Sequence, residues 1–212
     1  MEKPVIILGA KGIAHPALEI FNSNKVVVYG FLDEDEKLHG QEINVVPILG
    51  NPEDEGFLKL IGKKCEAFVA VDDNKYRQFL VKMLNDNRKV QPVNAIHNTA
   101  YISTDAAIGH GNFFNAKVNV GTGATIGSHC ILHSGAIVDH GSKLADFVQI
   151  GAGAILNSNV TVEEGAFIGS GVVVVSGITI GKNARIGAGS VVISDVKAND
   201  TVFGNPAAPI KK

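Results

Sequence analysis

The residues best suited to acid–base chemistry are seven histidines, four of which fall between positions 110 and 140. A neutral imidazole can take a proton from an amine or a hydroxyl near neutral pH, so each histidine is a candidate general base. Asp139 directly precedes His140, which places a carboxylate next to an imidazole. A solvated or structurally hydrogen-bonded side chain is the plainer interpretation of any single histidine. The seven are His15, His39, His97, His110, His129, His133 and His140.

Metal binding is the alternative chemistry for these histidines. His129 and His133 are four residues apart, which is the spacing of zinc ligands on a helix, but their surroundings repeat with a period of six rather than 3.6. Three histidines shared between subunits could still form a zinc site. The position eighteen residues beyond His110 is Ser128, so the histidines do not stack convincingly. We therefore expect no metal, and keep a metal-binding or purely structural trimer as the non-enzymatic alternative.

A second candidate site is the turn Gly9-Ala10-Lys11-Gly12 near the N-terminus, with Asp33 about twenty residues further on. This is an incomplete dinucleotide fingerprint, because Lys11 and Ala14 occupy two of its glycine positions. The glycines are explained equally well as a strand-to-helix turn. The helix N-terminus that follows could receive a phosphate group, with Lys11 assisting.

The elements around this turn predict a small parallel α/β domain. Apolar strands are predicted at residues 5–8, 26–32 and 67–71, and helices at residues 14–21 and 75–87. Alternating strands and helices favour a parallel sheet. Ligands of such sheets bind at the carboxyl ends of the strands, here residues 9–13, 33–35 and 72–74.

From Ile96 onward the chain repeats every six residues, with seventeen consecutive aliphatic or Phe residues at that spacing. A period of six fits neither a helix nor an alternating strand, and it predicts a solenoid of very short strands and turns. Three hexads form one triangular coil, which gives about six coils. Such a prism exposes flat faces that side-by-side packing would bury, so we predict a homotrimer.

Composition limits the classes of function. The chain of 212 residues is 45% apolar and 19% charged with a formal net charge of −2, which indicates a globular protein and disfavours a nucleic-acid surface. No apolar run approaches the roughly 20 residues of a membrane span, and the first residues do not resemble a signal peptide. We expect neither nucleic acid nor a membrane span, and the expected compartment is the cytoplasm.

The whole chain resembles the bacterial acetyl-CoA-dependent sugar acetyltransferases, which include sialic acid O-acetyltransferases and nucleotide-4-amino-sugar N-acetyltransferases. The resemblance implies a small Rossmann-like α/β domain that binds the sugar or nucleotide sugar, residues 1–95. It also implies an all-β left-handed parallel β-helix that carries acetyl transfer, residues 96–212. The segments that carry it are Ile7-Leu8-Gly9-Ala10, Gly30-Phe31-Leu32-Asp33-Glu34, Val46-Pro47-Ile48-Leu49-Gly50, Asn74-Lys75-Tyr76-Arg77, Val138-Asp139-His140, Asp146-Phe147-Val148 and Phe203-Gly204-Asn205-Pro206-Ala207.

The resemblance further implies a mechanism of direct transfer. His140 matches the catalytic base, and Asp139 matches an acid common beside it. Acetyl-CoA is the expected co-substrate, bound between subunits at positions that match Gln149, Ser170 and Ala188. The positions that match the acceptor site are Gly9, Lys11, Gly12, Ile13, Asp33, Glu34 and Asp72.

Several positions depart from the family pattern. Relatives usually place an acid directly after the catalytic histidine, where this chain has Gly141, and often a histidine at the position of Gln149. Neighbouring strand residues point to opposite sides, so Asp139 is not expected to orient the His140 ring; Asp146 or a residue from another subunit is the alternative.

Two further departures lie on the acceptor side. Ile13 replaces a histidine common in relatives, and Asp72 replaces a glycine, so a carboxylate is added near an expected diphosphate. The expected function is N-acetylation of a nucleotide-linked amino sugar in surface-glycan biosynthesis, with O-acetylation of a sialic acid or related sugar as the alternative.

Overall fold

The computed structural model describes residues 3–210, and the chain divides into two compact units after Ala95. The division falls where the six-residue repeat begins. Among residues 3–210, no helix is both long enough and apolar enough to cross a membrane.

The first unit is an α/β domain around one sheet, in which the strands lie in the order Glu42–Ile43 (β3), Val46–Gly50 (β4), Val28–Leu32 (β2), Val5–Leu8 (β1) and Glu66–Val69 (β5). β1 is parallel to β2 and β5, β2 is parallel to β4, and β3 is antiparallel to β4. The predicted parallel α/β fold is confirmed. The elements are β1 Val5–Leu8, α1 Ala14–Ser23, β2 Val28–Leu32, a 3₁₀ turn Glu36–Leu38, β3 Glu42–Ile43, β4 Val46–Gly50, α2 Glu55–Leu58, β5 Glu66–Val69 and α3 Asn74–Arg88.

Burial explains why these segments form the sheet and its helices. All four residues of β1 are buried, as expected of a central strand covered on both faces. Helix α3 begins where the Asp73 side chain accepts a hydrogen bond from the backbone N–H of Tyr76 at 2.8 Å, and it ends at Lys89, which adopts a left-handed conformation.

The second unit is a left-handed parallel β-helix on three faces, built of two-residue strands except for the last two, as the hexads and the resemblance predicted. Residues eighteen positions apart pair in parallel from coil to coil, as Val120 does with Val138. The first face contains Ala95–Ile96, Phe113–Phe114, Ile131–Leu132, Gln149–Ile150, Phe167–Ile168, Arg185–Ile186, Thr201–Gly204 and the antiparallel Ala207–Pro209. The second face contains Tyr101–Ile102, Asn119–Val120, Ile137–Val138, Ile155–Leu156, Val173–Val174 and Val191–Val192. The third face contains Ala107–Ile108, Thr125–Ile126, Lys143–Leu144, Thr161–Val162 and Thr179–Ile180.

The core of the β-helix is the aliphatic column that the repeat predicted. The second residue of each strand points inward, so Val138, Leu156 and Val174 are all fully buried. The small residues before each strand, such as Ala136 and Ala154, fill the remaining interior. Each buried aliphatic side chain contributes roughly 1.5–3 kcal/mol, so stacked coils stabilise one another in a way that one coil alone could not.

Each face ends at a corner that is named here after the face it follows. The first corner contains residues 133–135, 151–153, 169–171 and 187–189. The second contains residues 121–123, 139–141, 157–159 and 175–177. The third contains residues 109–111, 127–129, 145–147, 163–165 and 181–183.

The corner glycines meet two different requirements. A Cβ on Gly151 would overlap the backbone nitrogen of Ser170 in the next coil, so Gly151 allows close approach. Gly153, two residues later, has φ +64° and faces open space, so it supplies the left-handed conformation instead. Either requirement was expected from the sequence for the glycines that directly follow the aliphatic column. In the structure those glycines allow close approach of the next coil, and the positive φ values occur two residues further on.

The outer surfaces of the three faces differ in polarity. On the second face the outward residues Ile137, Ile155, Val173 and Val191 form an apolar strip that is half-buried in the single chain. On the third face the outward residues include Thr125, Lys143, Thr161 and Thr179. One face of the prism is therefore suited to contact with protein and another to contact with water.

Candidate active site

Asp139 and His140 lie together at the second corner, directly after the strand Ile137–Val138. One Asp139 carboxylate oxygen, Oδ1, accepts a hydrogen bond from the His140 backbone N–H at 2.7 Å and lies 3.3 Å from the ring Nδ1. Both side chains are accessible, at 46% for Asp139 and 61% for His140. The expectation that the two side chains point apart does not hold, because both residues lie in the turn, where strand alternation no longer applies.

The residue after His140 is a glycine in a left-handed conformation, so this chain has no acid at that position. Gly141 has φ +66°, and a Cβ on it would overlap the Asn159 side-chain oxygen. The Asn159 backbone N–H donates to the His140 carbonyl at 3.0 Å, which fixes the next coil beneath the turn. Asp146, the alternative orienting group, lies at the third corner and accepts from the Ser128 backbone N–H at 2.7 Å.

The positions expected to bind acetyl-CoA lie on another edge of the prism. Ser170 and Ala188 occupy equivalent places at the first corner, one coil apart, and both are exposed. Gln149 is half-buried on the first face. The second face separates this corner from the corner that carries His140, so one chain does not bring the two groups together.

The remaining candidate metal ligands are dispersed. His133 lies at the first corner in edge contact with Phe113, at 6.4 Å between ring centroids, whereas His129 is buried at the third corner and stacks on Phe147 at 4.9 Å. Within residues 3–210, no cluster of three or more His, Cys, Asp or Glu side chains is placed to hold a metal ion.

The first unit contains an open pocket of about 570 Å³ at the carboxyl ends of β1, β2 and β5. Its position is the one predicted for a ligand of a parallel sheet. Ile13 is buried at the start of α1 rather than lining the pocket, and Gly12 lies beside Asp72. The pocket is lined by Gly9, Lys11, Asp33, Glu34, Pro52, Ala70, Val71, Asp72 and Tyr76.

Asp33 stabilises the turn that shapes this pocket. Its side chain is nearly buried, and its two carboxylate oxygens accept the backbone N–H groups of Ala10 at 2.8 Å and Asp35 at 2.9 Å. These bonds tie the end of β2 to the glycine turn after β1. Glu34 is exposed, so of the expected acidic pair it is the one more available to a ligand.

Arg77 is a buried cation that the sequence analysis did not single out. Only 1% of it is exposed, and its guanidinium donates to the carbonyls of Val71 at 2.7 Å and Asp72 at 3.2 Å and to the Asn74 side chain. It therefore holds the loop that presents Asp72, whose carboxylate lies against Gly12. The matched segment 74–77 contained this arginine, but nothing in the sequence distinguished a buried positioning role from an exposed one.

Tyr76 lines the pocket and was not predicted as a site residue. Burial raises the pKa of its phenol, and the nearby Glu34 carboxylate, to which the hydroxyl is hydrogen-bonded, raises it further. The phenol therefore remains protonated at neutral pH and acts as a donor. Its ring stacks on Phe79 with centroids 6.0 Å apart.

Both units of the chain match known protein families. The family description "PglD N-terminal domain" matches residues 4–84, and "Bacterial transferase hexapeptide (six repeats)" matches residues 159–194. No curated protein matches the chain in a sequence comparison.

Solved structures give whole-chain matches. A histidine variant of perosamine N-acetyltransferase from Caulobacter crescentus, in complex with CoA and GDP-perosamine, is 31% identical with TM-score 0.91; the match covers 99% of this chain and 97% of that one. The acetyltransferase domain of PglB from Neisseria gonorrhoeae, in complex with acetyl coenzyme A, is 27% identical with TM-score 0.90 over 99% and 100% of the two chains. WeeI from Acinetobacter baumannii is 25% identical with TM-score 0.81 over 98% and 99%.

These matches extend over both units. The chain belongs to the family of acetyl-CoA-dependent sugar acetyltransferases that join a PglD-type N-terminal domain to a hexapeptide-repeat β-helix. It is therefore an acyltransferase enzyme, with acetyl-CoA as its co-substrate.

Proposed function

We propose that the protein transfers an acetyl group directly from acetyl-CoA to the amine of a nucleotide-linked amino sugar, in surface-glycan biosynthesis. The comparisons support this acceptor class, since the Caulobacter enzyme is described with both CoA and GDP-perosamine. The observation that carries the chemical assignment is the contact between Asp139 and the ring Nδ1 of His140 at an accessible corner.

In this mechanism His140 acts as the general base. An Nδ1–H donated to Asp139 leaves Nε2 unprotonated and directed to the acceptor. As the amine nitrogen attacks the thioester carbonyl carbon, Nε2 takes one proton from it, a C–N bond forms and the C–S bond breaks. The departing CoA sulfur then receives the proton from the imidazolium, so no covalent acyl-enzyme forms.

The arrangement of corners supports an active site shared between copies of the chain. The apolar second face lies between the corner of His140 and the corner of Ser170 and Ala188. Three prisms that turn their second faces toward a common axis would bury the apolar strips. Each His140 edge would then adjoin the Ser170 edge of a neighbour, a head-to-tail contact that closes as a ring. We therefore propose a homotrimer whose acetyl-CoA sites lie between subunits.

The nucleotide part of the acceptor is assigned to the pocket of the first unit. The glycine turn after β1, the exposed Glu34 carboxylate and the Tyr76 ring give this pocket groups that suit a ribose hydroxyl, a base edge and a phosphate. In this assignment residues 1–95 select the acceptor, and residues 96–212 bind acetyl-CoA and carry out the transfer.

An acceptor screen tests the proposal. The protein is incubated with acetyl-CoA and with GDP-, UDP- or dTDP-linked amino sugars or free sialic acid, and CoA release and product mass are measured. The matched control for each amino sugar is the same nucleotide sugar with a hydroxyl in place of the amine. We expect turnover with at least one amino sugar and none with its hydroxyl control. Turnover confined to sialic acid, or equal for amine and hydroxyl, would contradict N-acetylation.

A further inference from the structure

Lys11 is the one basic side chain among the described residues that line the pocket of the first unit. The same lining carries the carboxylates of Asp33, Glu34 and Asp72. A phosphate entering this pocket meets predominantly negative groups, so its binding depends on a cation. The buried guanidinium of Arg77 donates to the loop instead, which leaves Lys11 as the lining side chain whose positive charge can pair with a phosphate beside the glycine turn.

In the structure Lys11 is paired with a carboxylate outside the pocket lining. Its Nζ lies 2.8 Å from Oδ2 of Asp35, with 63% of the lysine side chain and 33% of the aspartate side chain accessible. An exposed pair of this kind is weak, since water and salt screen it. The ammonium can therefore be released to another anion at small cost.

Asp35 is fixed more firmly than Lys11. Its Oδ1 accepts the Lys37 backbone N–H at 3.2 Å as the cap of the 3₁₀ turn, and its own N–H donates to Asp33. Lys11 holds its ammonium on a flexible four-carbon stem. When the pair opens, the lysine side chain moves and the carboxylate stays in place.

We propose that Asp35 is a specificity-determining residue that competes with the acceptor's phosphate for Lys11. The proposal rests on the nucleotide-linked acceptor proposed above. An acceptor that brings a phosphate to Lys11 displaces Asp35, whereas a nucleoside without phosphate leaves the pair intact. Asp35 thus lowers the affinity for phosphate-bearing ligands without affecting recognition of the base or the ribose.

The pH range of this competition follows from the charges of the pair. The hydrogen bond from Lys11 holds the pKa of Asp35 below its usual 3.8, and the bond to Asp35 raises the pKa of Lys11 above its usual 10.5. The stabilisation by Asp35 is lost as the pH falls through its lowered pKa, and that by Lys11 as the pH rises through its raised pKa. Both groups therefore stay charged throughout the neutral range. In assays near neutral pH the Lys11–Asp35 pair is opened by the bound ligand and not by a change in pH.

The test replaces Asp35 by asparagine, which removes the charge but keeps an oxygen to cap the 3₁₀ turn. Calorimetric titrations compare GDP and UDP with guanosine and uridine. We expect Asp35→Asn to bind a diphosphate about two- to fivefold more tightly, the effect of one exposed ion pair. The nucleosides should bind as in the wild type. The matched control is Glu36→Gln, which removes an adjacent exposed carboxylate and should change neither affinity.

A double-mutant cycle with Lys11→Gln distinguishes competition from general electrostatics. Lys11→Gln should weaken diphosphate binding, and Asp35→Asn should have no further effect in that background. An equal gain for the nucleosides, a gain that persists without Lys11, or no binding of either diphosphate would overturn the proposal. Acetyl transfer is assayed separately from diphosphate binding. If the diphosphate titrations give the expected results but no acceptor in the screen is acetylated, the proposed function is contradicted and the role of Asp35 is not.

Discussion

Asp139 binds His140 twice through one carboxylate oxygen, which accepts the backbone N–H at 2.7 Å and lies 3.3 Å from the ring Nδ1. The backbone bond fixes the carboxylate in the turn, and the fixed carboxylate then faces the ring. In this chain the acid that orients the proposed base therefore precedes the histidine. The following position is Gly141, which has φ +66° and carries no side chain that could orient the ring.

Replacing Asp139 by asparagine tests this orientation. The amide oxygen can still accept the His140 backbone N–H, but the negative charge that faces the ring is lost. We expect kcat to fall roughly two- to tenfold with little change in KM, since the pair is accessible and partly screened. Asp105→Asn is the control, because Asp105 lies two coils away on the same edge and contacts Ser103 rather than His140. A loss of kcat as large in that variant would show that the effect does not come from the ring contact.

The apolar second face provides a test of assembly. Ile155→Glu places a charge in the middle of the strip, and we expect it to dissociate the proposed trimer into monomers and to abolish acetyl transfer. The penalty arises because a carboxylate would be removed from water without a partner. Light scattering coupled to gel filtration measures the mass.

The matched variant for assembly is Thr161→Glu, at an equally half-buried outward position on the polar third face. It should retain the mass and the activity of the wild type. If Ile155→Glu also keeps the mass of the wild type, the second face does not form the proposed subunit interface.

The two classes of corner glycine predict different costs for the same substitution. Gly153→Ala introduces a Cβ into open space at φ +64°, which costs about 1–2 kcal/mol of unfolding free energy. Gly151→Ala forces a Cβ into the backbone of the next coil and should cost roughly 3 kcal/mol or more, because two coils must separate. Denaturant unfolding at one protein concentration measures both variants. Equal losses would contradict the assignment of close approach to Gly151.

The sequence was most informative where the repeat was strict. A period of six determines which side chains point inward, so the buried positions of Val138 and Leu156 and the pairing of residues eighteen apart followed from the pattern. The carboxyl ends of the strands likewise predicted where the pocket of the first unit would form.

The local geometry of the site was less predictable. Asp139 and His140 were treated as strand residues, but the strand before them, Ile137–Val138, contains only two residues, so both lie in the turn. The turn brings the carboxylate and the ring to one side. A six-residue pattern identifies the corner but does not specify the side-chain directions within it.

The environments of the two acidic residues in the first unit were also not predictable from the sequence. Spacing indicated Asp33 and the family resemblance added Glu34, but neither indicated their different environments. Asp33 is nearly buried and bonded to two backbone N–H groups, whereas Glu34 is exposed. The partner of Lys11 was also not predictable, because Asp35 reaches it across a gap of 24 residues that only the fold closes.

The most direct test of the central claim is the turnover of His140→Asn with acetyl-CoA and an accepted amino sugar. The control is His110→Asn, which changes an exposed histidine at the third corner, away from the proposed site. Loss of a general base predicts a fall in kcat of about 10²–10⁴-fold, with the oligomeric mass and acetyl-CoA affinity unchanged. His110→Asn should match the wild type. If His140→Asn retains turnover within about tenfold of the wild type, His140 is not the base.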